Sequence, residues 1–382
     1  MSKLPTANSI DEINKPANIL TTQRAVIISL FVTVGFSCLL LYHSAHPFEF
    51  LPSYEDLISP LMKSQVCIYI LSVFPFDSKL ETILAKAAMK DKTVIITTMN
   101  HAWAEPNSIF DIFLKSFRTG NGTRKFLDNL VVVSLDEKAH ARCKLIHTHC
   151  YALNTSGFDF SGTEAYFMTS NYLEMMWIRI RLLSTILQMG YNFVFTDADI
   201  VWLQDPFPHF YPDADFQIAC DNFKGNPSDL RNSPNGGFNY VKTNYKTIEF
   251  YKFWYSSRLT YPGLHDQDVL NKIKFNSRIS ETGITIKFLD TAYFGGFCEL
   301  SKDFNLVSTV HANCCFGLES KVQDLNLVLE DWKSFMQLPP SEKAEKKNSW
   351  RVPKNCSTMC FFLNSLKAFH PPSFPLLLRR KL

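Results

Sequence analysis

Hydrophobic positions along this chain repeat with two periods. Thr93–Thr98 (TVIITT) and Asn129–Leu135 (NLVVVSL) are short β-branched runs closed by polar residues, the pattern of strands buried on both faces. Beside them, apolar residues recur at helical spacing. Ser78–Met89, Asn107–Phe117 with Pro106 just ahead, and Ala139–His147 each predict a helix. A longer periodic stretch, Glu164–Gln188, predicts a helix that stops at Gly190, a residue suited to a left-handed C-cap. The run Phe193–Leu203 (FVFTDADIVWL) follows as a third strand. Further on, Gln217–Cys220, Phe238–Val241 and Ile284–Leu289 read as strands, Tyr245–Ser256 and Gln267–Ile273 as helices, and Asn226–Gly237 as loop. Strands alternating with helices predict an α/β fold on a parallel sheet, with ligands bound past the carboxyl ends of its strands.

The two ends break this pattern. Ala25–Tyr42 (AVIISLFVTVGFSCLLLY) carries no charge, and as a helix it would extend about 27 Å, enough for a bilayer core. Lys3, Lys15 and Arg24 precede it, and no Lys or Arg follows until Lys63. The bias puts residues 1–24 in the cytosol, an uncleaved anchor at 25–42, and the remainder in a lumen. Residues 43–77, with Pro47, Pro52, Pro60 and Pro75, read as a stem; 78–360 hold the folded domain; the tail 361–382 has no clear period.

Composition adds little beyond that address. A net charge of +3 over 382 residues gives no basis for a nucleic-acid groove. There are ten cysteines. Cys38 lies in the anchor, so the others are odd in number and at least one is free or pairs with another chain. Cys143 with Cys150, and Cys356 with Cys360, are spaced for local bridges, while adjacent Cys314 and Cys315 need different partners. The sequons at Asn121, Asn154 and Asn355 are usable in a secretory lumen.

Candidate chemistry centres on Asp197 and Asp199, two carboxylates inside an apolar run. Ionised carboxylates are costly to bury unless paired or bound to a cation. In an extended strand they share one face, with Ala198 opposite. Converging at a strand end, they repel unless a cation sits between them. Hard divalent ions such as Mn²⁺ or Mg²⁺ take oxygen ligands and share them with phosphates, so the spacing suits a metal–diphosphate site. DADIV also fits by letter the nucleophile motif of haloacid-dehalogenase-like phosphatases. That motif opens its domain, whereas a long α/β stretch precedes this one, and no downstream acidic pair accompanies it.

Several stretches together carry a resemblance: TVIITTMNHAWAEPNSIFDIFLKSF, GYNFVFTDADIVWLQDPF, NSPNGGFNYVKTN, HDQDVLNKI, FLDTAYFGGFCEL, STVHANCCFGLESKVQDL and SWRVPKNC. They resemble, in order from Leu80 to Cys356, the plant nucleotide-diphospho-sugar transferase domain of glycosyltransferase family 77. The resemblance implies a GT-A fold, a Rossmann-like mixed sheet flanked by helices, behind one N-terminal transmembrane helix. It implies a single-pass type II Golgi protein with a lumenal catalytic domain. The activity implied is retaining transfer of a pentose such as arabinose or xylose from a nucleotide diphosphate sugar. The acceptor implied is a cell-wall polysaccharide or glycoprotein, and complexes with other Golgi transferases are compatible with it.

Site roles follow from the same resemblance. Asp197, Asp199 and His311 match the metal ligands, for Mn²⁺ or Mg²⁺. Asp266 and Gln267, in HDQDVLN, match the pair that handles the donor sugar, with Gln267 facing the anomeric carbon. Arg179 matches a basic residue that meets diphosphate or sugar, for which a guanidinium fork is well shaped. Asn235, Gly236 and Gly237 would form a glycine-permitted turn that lets backbone approach the ligand. Asp221 is a further donor-site candidate, and Thr98 and Asn100, ending the first strand, would meet the base. The anchor, stem and tail carry no family signal. A second reading from a different class is a non-catalytic glycan-binding or scaffolding relative in the Golgi.

Overall fold

The computed structural model describes residues 77–155, 157–162, 164–345 and 350–356. The expected anchor at 25–42, the stem and the tail 361–382 lie outside these residues. Among the described residues, no helix is long and apolar enough to cross a membrane.

The strands are β1 (Thr93–Met99), β2 (Leu130–Ser134), β3 (Cys150–Ala152), β4 (Asn192–Thr196), β5 (Ile200–Trp202), β6 (Phe216–Asn222), β7 (Ser233–Val241), β8 (Ile286–Phe288), β9 (Phe294–Gly296) and β10 (Thr309–His311). The helices are α1 (Ser78–Ala87), α2 (His101–Ala104), α3 (Ile109–Thr119), α4 (Glu137–Ile146), α5 (Ser170–Gln188), α6 (Tyr245–Ser256), α7 (Asp266–Ile273), α8 (Ser277–Glu281), α9 (Leu318–Met336) and α10 (Pro340–Glu345). A seven-stranded sheet runs in the order β3-β2-β1-β4-β7-β6-β8. β3, β2, β1 and β4 are parallel, as the alternating pattern predicts, and β7 then pairs antiparallel with both β4 and β6. This is the mixed sheet flanked by helices that the resemblance implied.

The β-branched runs are central because both faces are buried. Ile95 and Val132 point into a core shared with Phe110, Phe113 and Phe117 of α3 and Leu325, Val328 and Trp332 of α9. Their neighbours Val94, Ile96, Val131 and Val133 point into the opposite core, under α1, α5, α6 and α7. Period two therefore sorts one strand's side chains between two hydrophobic layers.

Four expectations are corrected. First, Phe193–Leu203 is not one strand. β4 ends at Thr196, residues 197–199 turn, and β5 enters a separate three-stranded sheet ordered β5-β10-β9. The Asp197 amide donates to Gly237 O at 2.7 Å and the Ile200 amide to Asp197 O at 3.2 Å, closing the turn. Second, Asn235, Gly236 and Gly237 lie inside β7 rather than in a turn, and neither glycine has a positive φ. Third, the helix expected from Glu164 starts at Ser170, capped by Thr169. Glu164 instead accepts from the Leu318 amide at the start of α9, at 3.1 Å.

Fourth, Cys356 pairs with Cys315, not Cys360. The cause is Asp324 on α9, whose buried carboxylate accepts the backbone amides of Lys354, Asn355 and Cys356 and draws that segment onto the helix. Cys143–Cys150 forms as expected, Cys314 pairs with Cys298, and Cys220 is a buried free thiol. The Cys315–Cys356 bridge closes a sequence separation of 41, so replacing both cysteines by serine is expected to cost about 4 kcal/mol. Thermal unfolding under oxidising conditions measures this. An unchanged melting temperature would show that Asp324 alone fixes the segment.

Candidate active site

The two sheets meet at residues 197–199. β4 delivers Asp197 and β5 carries the chain away, with Ile200 paired to His311 across the small sheet. The Ala312 amide donates to Asp199 O at 3.0 Å, locking the histidine strand beside the turn. Ligand atoms of Asp197, Asp199 and His311 therefore lie within 4.8 Å of one another. His311 Nε2 is 3.1 Å from Asp199 Oδ1 and 4.0 Å from Asp197 Oδ2. The expected convergence of the carboxylates holds, but a tight turn produces it rather than strand alternation.

Gly237 makes room for this. A Cβ there would stand 2.5 Å from His311 Cε1 and 2.6 Å from Asp197 Oδ2. Gly237→Ala is expected to push Asp197 and His311 apart and weaken binding of an added divalent ion between them, at a stability cost of about 1–3 kcal/mol from overpacking. Titration calorimetry with Mn²⁺ reads the first effect and thermal melting the second. Unaltered binding would mean that the strand shifts to accommodate the methyl.

Two cations hold the carboxylates. Arg179, on the buried face of α5, stacks over Phe195 with 4.9 Å between its guanidinium carbon and the ring centre. Its Nη1 donates to Asp197 Oδ1 at 2.8 Å and its Nη2 to Asp266 Oδ2 at 2.6 Å. Lys321 of α9 donates to Asp199 Oδ2. Burial pushes the Asp199 carboxyl up, but the charges of Lys321 and His311 outweigh it and hold the group well below its ordinary range. Burial raises Asp197 despite Arg179, and the nearby Asp199 charge adds to the rise. For Asp266 burial also works upward, yet Arg179 overrides it and brings the group to about 2. Burial likewise lifts the Tyr172 phenol above its usual range.

A second hub lies alongside. Asp221 Oδ1 accepts from Asn235 Nδ2 and Asn313 Nδ2, each at 2.8 Å. Its Oδ2 accepts from Gln267 Nε2 at 2.9 Å. Gln267 Oε1 in turn accepts from the Gly236 amide at 2.9 Å. The amide of Gln267 thus has one fixed orientation. Ten expected residues, Asp197, Asp199, His311, Arg179, Asp266, Gln267, Asp221, Asn235, Gly236 and Gly237, form one connected cluster.

Thr98 and Asn100 share no hydrogen bond with that cluster among the described residues. Asn100 precedes α2 without capping it by its side chain, donates to Phe160 O at 3.4 Å, and lines a cleft of about 410 Å³ with Phe160, Tyr166 and Thr169. Two participants escaped sequence reasoning: Lys321 and Asn313. Both lie in STVHANCCFGLESKVQDL, but no spacing rule ties a helix lysine to a carboxylate on a distant turn.

The donor set fits a divalent ion. Two carboxylates and an imidazole converge, and the buried Asp199 Oδ1 has no aligned hydrogen-bond donor. Neutral imidazole and carboxylate oxygens suit Mn²⁺. The guanidinium beside them suits a phosphorylated anion. The fold and this site define an enzyme equipped for a nucleotide-linked donor.

Residues 125–325 match the family model described as nucleotide-diphospho-sugar transferase, and the chain belongs to that family. It is a glycosyltransferase of the nucleotide-sugar type. An uncharacterized Arabidopsis thaliana protein is 49% identical over 76% of each chain. Beta-arabinofuranosyltransferase RAY1 of the same plant is 23% identical over 65% of this chain and 47% of its own. Mouse xyloside xylosyltransferase 1 aligns with 58% of this chain and 98% of its own, at 14% identity and a TM-score of 0.37.

Proposed function

We propose that this chain is a metal-dependent, retaining glycosyltransferase. It moves a pentose such as arabinose or xylose from a nucleotide diphosphate sugar to a cell-wall polysaccharide or glycoprotein. The carrying observation is the convergence of Asp197, Asp199 and His311 beside an amide, Gln267, held in one orientation. Similarity to arabinosyltransferases supports the pentose. The uncharged run 25–42 with its flanking charges supports a single-pass type II Golgi anchor.

A divalent ion held by Asp197, Asp199 and His311 would supply Lewis acidity to the departing diphosphate. Arg179 keeps Asp197 oriented and Asp266 ionised at the inner wall of the site. Asp221 fixes the Gln267 amide against the sugar's developing positive charge. With both poles of Gln267 already held by protein, its support is that of a preorganised dipole, not of a nucleophile. As the C1–O bond to the diphosphate breaks, the acceptor hydroxyl attacks C1 from that same side and passes its proton to the departing diphosphate oxygen, which gives retention.

The test uses the full chain from eukaryotic secretory membranes, a panel of nucleotide sugars, and Mn²⁺ or a chelator. Release of nucleoside diphosphate from one donor, with Mn²⁺ only, is expected, and NMR of the product reports its anomeric configuration. A folded protein that turns over no donor, even with cell-wall glycans present, would contradict the proposal and favour a non-catalytic glycan-binding role.

A further inference from the structure

Lys321 has no part in the chemistry just described, yet its position is costly. It stands in the first turn of α9, where a positive charge faces the positive end of the helix dipole. Its side chain is only 15% exposed and its partner Asp199 only 2%. An ammonium so desolvated is tolerated only when paired. Nζ reaches Asp199 Oδ2 at 2.5 Å and lies 5.5 Å from the centre of the Trp103 ring.

The turn that carries it is set from outside the helix. Gly317, at φ 88°, begins α9 without a side-chain cap, and Glu164 receives the Leu318 amide instead. The pairing is therefore built by the surrounding loops and is not a drifting surface contact.

The local charge is informative. Asp197, Asp199 and Asp266 face Arg179 and Lys321. Counting these five side chains alone, three negative and two positive charges leave one negative. A divalent ion would reverse that sign and bring itself and an ammonium onto the same carboxylate. Charges that close repel strongly where water is largely excluded.

We propose that Lys321 is a built-in counter-cation. It neutralises Asp199 in the metal-free enzyme, competes with the divalent ion, and is released when the ion arrives together with an anionic diphosphate. The inference rests on the metal-site reading of Asp197, Asp199 and His311. Metal and diphosphate are then coupled through this side chain: each makes the other's binding easier by relieving the ammonium.

The test measures Mn²⁺ affinity of the full chain by the EPR signal of free Mn²⁺, with and without uridine diphosphate as the probe anion. Lys321→Met keeps an apolar stem against Trp103 and removes the charge. Lys321→Gln is the second variant should the first fold poorly. The expected result is Mn²⁺ binding at least about tenfold tighter without the diphosphate, and a smaller enhancement of Mn²⁺ affinity by the diphosphate than in the wild type. Equal or weaker Mn²⁺ affinity overturns the inference, and a shifted melting temperature alongside it makes the lysine purely structural. Asp197→Asn separates the two readings. If Mn²⁺ binds the wild type saturably and this variant poorly, the metal site stands whatever Lys321 does. If Mn²⁺ binds none of the proteins, the metal site fails and the inference falls with it.

Discussion

Asp199→Asn is expected to reduce donor turnover by about 10²–10³-fold or more, the scale seen when one preorganised charge-stabilising group is lost, while leaving the fold largely in place. Asparagine matches the carboxylate in shape, so the turn at 197–199 and the β5–β10 pairing keep their backbone bonds. What disappears is the one carboxylate that Lys321 and His311 hold firmly ionised. Its Oδ1 is buried 3.1 Å from His311 Nε2, beside the other two converging side chains. Steady-state release of nucleoside diphosphate, paired with a thermal melt, separates chemistry from folding. A variant within tenfold of wild type at saturating Mn²⁺ would remove Asp199 from the reaction.

Arg179→Ala is expected to have the largest effect on stability, about 3–5 kcal/mol, the range for breaking a buried ion pair by deleting one partner. The guanidinium is 5% exposed and bridges Asp197 to Asp266, itself 1% exposed. Alanine would leave the buried Asp266 carboxylate with only His265, at 3.4 Å, to offset its desolvation. Arg179→Lys would not restore the bridge, because a single ammonium cannot present two parallel donors. Acid distinguishes this from simple loss of packing. Asp266 is held at about 2, below its unfolded value of 3.8. Its contribution is therefore fully present above 3.8 and fades as pH falls through about 2. Without Arg179, burial drives Asp266 upward, so protonation relieves the variant before it harms the wild type. The stability gap should narrow on acidification from about pH 6 toward pH 3. Denaturant titrations at several pH values measure it. A gap that does not change with pH would assign the loss to packing.

Much of this arrangement is legible in the sequence because local pattern and tertiary role agree. β1 and β2 read as doubly buried strands since every residue of TVIIT and LVVVS is buried, the apolar ones alternating between two cores. The structure brings Asp197, Asp199 and His311 together, as the sequence leads one to expect. The reason they meet was not visible: a tight turn and an extended strand both put residues two apart on one side. The glycines were misassigned for a related reason. NSPNGG has turn chemistry, but Gly236 and Gly237 are there because Arg179, Asp197 and His311 crowd the strand. β9 and β10 span three residues each, too short for a period, and exist only through pairing with distant segments. The partner of Cys356 depended on Asp324, whose importance lies in three amides thirty residues away.

That last contact has a consequence for how the protein is made. His311 is followed closely by Cys314 and Cys315, and Cys315 is tied to Cys356, 41 residues further along the chain. A nascent chain emerging from its N-terminus can complete β1, β2 and β4 early. The histidine loop's first bridge, Cys298–Cys314, can form before residue 356 exists, but its second, Cys315–Cys356, cannot. The second clamp on the histidine loop is thus a late event in biogenesis, set after the strands it steadies have already been made.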